Sequence, residues 1–228
     1  MARRVVLVLL VVSTGAIHAA SPAPWPDTPL ARLEALALIQ TLNGQILAGA
    51  SATLTLEQWC RAHQLAAQPN IVAQRVDGAS QSPSPEQRRE LGISAEEPVR
   101  YRRVELRCGD KLLSIADNWY VPARLSAAMN SQLDTTQTPF GIVVRPLHAH
   151  RETLEVRVLW SPLADGWEGN AAGAVPPARP AASLPIPEAL LEHRAVLYTP
   201  EHQAIAEVHE IYQRDLLAFP EPNLRPSD

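Results

Sequence analysis

From Leu30 to Leu47 apolar residues recur at helical spacing, at Leu30, Leu33, Ala37, Leu38, Ile39, Leu42 and Ile46. Asp27 or Thr28 can cap this helix, Pro29 suits its first position, and Asn43-Gly44 is a place to end or kink it. Thr55, with Glu57 and Gln58 behind it, predicts the start of a second helix running to about Leu65. Further on, period-two segments take over. Ile71 to Val76 reads as a strand, and Pro85 to Leu91 as a short helix stopped by Gly92. Val99 to Arg107 and Leu112 to Val121 flank the turn Cys108-Gly109-Asp110-Lys111 and predict a hairpin. Leu125 to Leu133 reads as a helix, and Thr138-Pro139-Phe140-Gly141 as a tight entry into a strand over Ile142 to Leu147. Thr153 to Trp160 is expected to pair with that strand, and Arg194 to Tyr198 with Ala204 to Tyr212. Sequential hairpins behind leading helices imply an α+β fold: a single antiparallel β-sheet with helices covering it.

The ends of the chain follow other rules. Arg3-Arg4, an apolar run from Val5 and the small residues around Ala19 have the layout of a signal peptide over residues 1–19, cut after Ala19. The run is shorter than the ~20 residues a membrane helix needs, so no span remains after cleavage. The expected location is periplasmic. Residues 20–29 form a Pro-rich leader and residues 30–219 the domain. Within it, 165–185 is a Gly/Ala/Pro-rich segment expected to be a flexible insertion; 220–228 reads as a disordered tail.

Charge narrows the chemistry. The net charge of −4 argues against a nucleic-acid partner. Lys111 is the lone lysine, so an anion site must be built from arginine, whose planar fork suits carboxylates. An oxidising compartment would permit a disulfide between Cys60 and Cys108, the two cysteines of the chain. With no CxxC, thiolate metal sites are disfavoured; His148 and His150 lie at strand spacing with no third ligand implied nearby, and read as solvent-exposed rather than as a metal site. There is no Gly-x-Ser-x-Gly elbow, phosphate loop or dinucleotide fingerprint.

Two charges fall on apolar strand faces. Arg102 alternates with Val104 and Leu106, and Glu210 with Val208 and Tyr212. Buried charge must be compensated, so the two read either as a structural ion pair or as a receptor, Arg102 for a carboxylate and Glu210 for a hydroxyl. Asp117 or Asn118 can line the same pocket, with Trp119 and Tyr120 in the core.

Several ordered blocks, spread from about Leu36 to Phe219, resemble the chorismate lyase family. They are Ser51-Ala52-Thr53, Tyr101-Arg102-Arg103-Val104, Asn118-Trp119-Tyr120-Val121-Pro122, Thr138-Pro139-Phe140-Gly141 and Val208-His209-Glu210-Ile211-Tyr212. The resemblance implies helical flaps over an internal pocket, and cleavage of chorismate to 4-hydroxybenzoate and pyruvate without metal or cofactor. It assigns ligand contacts to Ala52, Arg102, Phe140 and Glu210, with Glu210 also the catalytic residue and Glu207 its alternative if the register slips. The implied partner is a small aromatic carboxylate. Where the family has a second arginine this chain reads Ala116-Asp117-Asn118. The same fold also serves ligand-sensing domains without chemistry, so an exported, non-catalytic binding protein is the alternative expectation.

Overall fold

The computed structural model describes residues 25–169 and 177–222. The expected signal peptide over residues 1–19, residues 20–24 of the expected leader, residues 170–176 of the Gly/Ala/Pro segment and residues 223–228 of the expected tail lie outside the described residues.

Strand β1 (Pro26–Asp27) leads into α1 (Pro29–Ala48), capped by the Thr28 hydroxyl, which accepts from the Ala31 N–H. Gly44 does not stop this helix. Asn43 instead bonds through Oδ1 to His193 Nε2 at 2.9 Å, so its side chain serves a tertiary contact rather than a cap. Helix α2 (Ala52–Ala62) begins earlier than the sequence suggests. Its cap is Ser51, and the expected cap, Thr55, lies a turn inside with its hydroxyl on the Ser51 carbonyl. The shift places Ala52 and Thr53 in the first turn.

Then follow β2 (Ile71–Arg75), α3 (Pro85–Glu90), β3 (Arg100–Cys108), β4 (Lys111–Tyr120) and α4 (Ala127–Thr135). The β3–β4 hairpin forms as expected, with Gly109 at φ +58° in the turn. The next expectation fails. Residues 142–147 are not a strand: α5 (Phe140–Val143) and a 3-10 turn (Arg145–Leu147) occupy them. Pro146 has no N–H to give a ladder, and the β-branched residues Val143 and Val144 are buried in a cover over the sheet. Strand β5 (His150–Val158) therefore pairs not with this segment but with β7 (Ala189–Tyr198). Between them, β6 (Arg179–Ser183) forms a two-stranded ribbon with β1, so part of the segment taken as insertion, and the end of the leader, belong to the domain. Strand β8 (Ala204–Gln213) completes a hairpin with β7.

The main sheet has the order β2-β3-β4-β8-β7-β5, antiparallel throughout. Helices α1 and α2 pack on one face through Ile39, Leu42, Leu56 and Trp59 against Val104, Leu106 and Tyr212. Helices α4 and α5 cover the far end of the same face, where Met129, Leu133 and Phe140 meet Tyr120, Ala206 and Val208. Helix α3 lies on the opposite face, reaching β8 through Gln87 and Glu207. Cys60 of α2 and Cys108 of β3 form a disulfide, with Cα atoms 6.5 Å apart. No described helix is long and apolar enough to cross a membrane.

Candidate functional site

Register aligns side chains in rows across the helix-covered face. One row runs Arg102–Asn118–Val208–Ala195, and the next Val104–Ala116–Glu210–His193. Alanine at 116 and 195 leaves room above the middle of the sheet. The helices bridge this space without filling it, leaving a cavity of about 310 Å³. Its roof includes the first turn of α2, with Ala52 and Thr53, and Phe140 and Gly141 of α5. Gly141 lets α5 approach closely: a Cβ there would stand 2.8 Å from Ser51 Oγ and crowd the hydroxyl that caps α2. Exposed Arg145 and His148 form the rim.

The expected residues divide. Ala52, Phe140 and Glu210 all line the cavity. So does Asn118, whereas Asp117 faces the other side of the sheet and bonds Tyr101 and Arg103. Glu207 also faces away, beneath α3, where it pairs with Arg194. Arg102 shares the cavity face but is not among the lining side chains. Its Nη2 donates to the Thr138 carbonyl at 3.2 Å and, at 3.4 Å, to that of Thr136. Nε and Nη1 are buried without a partner. Burial, and then the charge of Arg75, push its guanidinium down to about 10, still cationic at neutral pH. Arg102 and Glu210 do not form the ion pair that periodicity allowed.

Glu210 pairs instead with Arg151 of β5. Arg151 Nη1 donates to Glu210 Oε2 at 2.7 Å, and the Tyr212 hydroxyl to the same oxygen at 3.0 Å. Glu210 Oε1 takes no bond from the described residues. Arg151 and Glu210 side chains are 4% and 7% exposed, so the pair is sealed from solvent. Burial works against the Arg151 charge, but Glu210 outweighs it and holds the guanidinium above its ordinary value. The Nε and Nη2 atoms of Arg151 remain buried and unpartnered. Under the pair lies His193, fully buried, with Nε2 on Asn43 and Nδ1 unpartnered. Burial first, and Arg151 next, push it down to about 4, so it is neutral. The cavity thus joins apolar walls to a guanidinium with spare donors and a carboxylate with a spare oxygen. It can take a small molecule carrying an anionic group and a hydroxyl.

Across 207 residues the chain is 48% identical to the uncharacterized protein y4mC of Sinorhizobium fredii, a match spanning 90% of this chain and 86% of that one. The chain belongs to the y4mC family. No family model matches it. Among solved structures it is similar to PhnF from Mycobacterium smegmatis, at 15% identity over 78% of this chain and 71% of that one, with a TM-score of 0.47. The effector domain of PhnF gives 15% identity, 73% and 90% coverage and a TM-score of 0.45. A GntR-family transcriptional regulator from Enterococcus faecalis gives 12% identity, 68% and 99% coverage and a TM-score of 0.39.

In this y4mC-family chain the residue that sequence reasoning missed is Arg151. It occupies the cavity for which Ala116-Asp117-Asn118 supplies no arginine, but it arrives from another strand. The available signal was weak. Arg151-Glu152 precedes an exposed-looking strand, and a β-bulge at Leu154 resets the alternation so that Arg151 and Val156 share the inner face.

Proposed function

We propose that the protein binds a small aromatic carboxylic acid in the cavity between the sheet and helices α2 and α5. The observation that carries this reading is Arg151, whose two buried, unpartnered N–H groups lie beside an unfilled cavity. A buried donor without a partner costs about 1–3 kcal/mol, which a ligand carboxylate would recover. The site's size lies at the small end of the range for ligand pockets, about 300–1,000 Å³. Val104, Leu106 and Phe140 offer apolar surface to a ring. Glu210 Oε1 would accept from a ring hydroxyl, the start of α2 at Ala52 adds a partial positive charge, and Arg102 stands at the margin as a second cation.

A lyase reading rests on Glu210. With Oε1 free, it would orient the ring hydroxyl of an enolpyruvyl substrate such as chorismate and assist proton movement as pyruvate leaves. Arg151 and Tyr212 both donate to Oε2, which fixes the carboxylate and leaves Oε1 turned to the ligand.

One experiment tests both. The chain over residues 20–228 is titrated calorimetrically with 4-hydroxybenzoate, and with chorismate while pyruvate is followed. Saturable binding that weakens at least about tenfold in Arg151→Gln is expected, the scale of one lost charge-assisted hydrogen bond. Unchanged affinity in that variant, or no binding of either compound, overturns the reading. Pyruvate release abolished by Glu210→Gln would establish the lyase.

The same proposal places the protein in the periplasm after cleavage behind Ala19. The Cys60–Cys108 bridge supports this, because such bonds persist in oxidising compartments. A chain in the periplasmic fraction whose mass begins at Ala20 is expected; a cytoplasmic chain with residues 1–19 intact overturns it.

A further inference from the structure

The β7–β8 hairpin turns through residues 199–203, closed by two backbone bonds: Thr199 N–H to the Gln203 carbonyl and His202 N–H to that of Thr199, each 2.9 Å. His202 sits at φ +58°, a left-handed conformation that histidine adopts more readily than most side chains but seldom. This turn brings His202 over the edge strand β5. There His150 and Glu152, two residues apart, project from the same face. Tyr198 is the register partner of His150, and the two rings stack with centroids 5.9 Å apart, steadying the imidazole. The rings of His150 and His202 meet edge to face at 5.7 Å.

We propose that His150, Glu152 and His202 form a binding site for a divalent transition-metal ion of the zinc class. One ligand atom from each lies within 4.8 Å of the others. His150 Nε2 donates to Glu152 Oε1 at 3.2 Å. In a tetrahedral zinc site with bonds of about 2.0–2.2 Å, neighbouring ligand atoms stand roughly 3.3 Å apart. The His150–Glu152 edge therefore already has the required length, and the ion would replace the shared proton. His202 is exposed at a hairpin tip, so a change of side-chain torsion closes the remaining gap. Two imidazoles and one carboxylate select zinc, copper or nickel over calcium or magnesium, which take oxygen ligands. The fourth position is left for water.

The site is separate from the cavity but touches its frame. His148, whose residue sits at φ +49° ahead of β5, turns to the cavity rim, so it does not join His150 on one strand face as its spacing suggests. His202, 52 positions along the chain from His150, is the third ligand that spacing does not reveal. A bound ion would tie the hairpin tip to β5 directly beside Arg151.

The test is calorimetric titration of the untagged chain with Zn²⁺ alone. One ion per chain is expected, weakened at least about tenfold by His202→Ala and by Glu152→Gln, as for loss of a coordinating group, and unchanged by His209→Ala. His202 and Glu152 are exposed, and an unchanged melting temperature without metal verifies each variant's fold. No saturable binding, or binding equally tight in His202→Ala, overturns the proposal.

Discussion

Glu207 and Glu210 stand three residues apart on β8, face opposite sides of the sheet, and each meets an arginine from a strand nearer the β5 edge. Beneath α3, Glu207 is fully buried and accepts from Arg194 at 3.1 Å and from Gln87 at 3.3 Å. Arg194 also serves Glu90 and Glu155, and its side chain is 23% exposed. On the other face Arg151 serves Glu210 alone, stays sealed and keeps two donors idle beside a cavity. Burial of charge is therefore common to both faces, and greater for Glu207. What distinguishes a candidate site is space beside unsatisfied donors. The α3 face is a clamp, because the helix fills the volume that a ligand would need.

The two faces should break differently. Glu210→Ala strands the Arg151 guanidinium in a sealed site, and should cost about 3–5 kcal/mol in urea denaturation. Arg151→Met with Glu210→Leu should recover most of that loss while abolishing ligand binding. Glu207→Ala should cost less, about 1–3 kcal/mol, because Arg194 keeps two other carboxylates and some water while Gln87 loses a partner. Equal costs in the two single variants would erase the distinction between clamp and cavity. Arg102→Met removes a buried cation that no carboxylate neutralises, and should raise stability by about 1 kcal/mol while weakening acid binding. A loss of stability there would show that the carbonyls of Thr136 and Thr138 compensate its charge.

The smallest effect is in the pH profile, where the faces oppose one another. Glu90 is pushed up to about 7, by burial first and then by its hydrogen bond to Glu207 and that group's charge. The folded protein holds this proton longer than the unfolded chain. Its stabilising share is complete below about 4.5 and is lost as pH rises to about 7. His193, pushed down to about 4, acts in reverse: its share is complete above about 6.5 and is lost as pH falls to about 4. Glu90→Gln should thus gain stability relative to the unsubstituted chain as pH rises across its window. The midpoint of denaturation against pH checks this, and parallel curves would contradict it.

Strand β3 was legible because one of its faces is buried, so period-two alternation reports directly where Arg102 points; β8 is buried on both faces up to Val208 and alternates only beyond it, and there parity alone sets Glu210 on the inner face. The same logic separates Glu207 from Glu210. Helix α1 was legible from Pro29 and Thr28, but Gly44 misled, since tertiary packing outweighs the roughly 1 kcal/mol helix cost of one glycine. The stretch Ile142–Leu147 misled for another reason. Its β-branched residues fit a strand locally, whereas here they face down from a helical cover, and the true partner of β5 lies some forty residues further along. Arg151 was hidden twice, by that wrong pairing and by the bulge at Leu154. The His202 contact depends on where a hairpin tip lands, which no local pattern encodes.

The indole N–H of Trp25 bonds to the carbonyls of Leu217 and Phe219, each at 3.0 Å, and the Trp25 and Phe219 rings meet edge on. Strand β1, immediately after Trp25, is held by β6, more than 150 residues away in sequence. The first and last turns of the described chain are thus one packing unit. Such long-range closure delays folding, because the entropy of a nearly chain-length loop must be lost before these contacts form. A nascent polypeptide stalled before β8 would have neither its central strand nor the seat for its own Trp25. The domain should consequently mature only once the chain through Phe219 is free to pack, and a truncation that removes Phe219 should trap a compact but protease-sensitive intermediate.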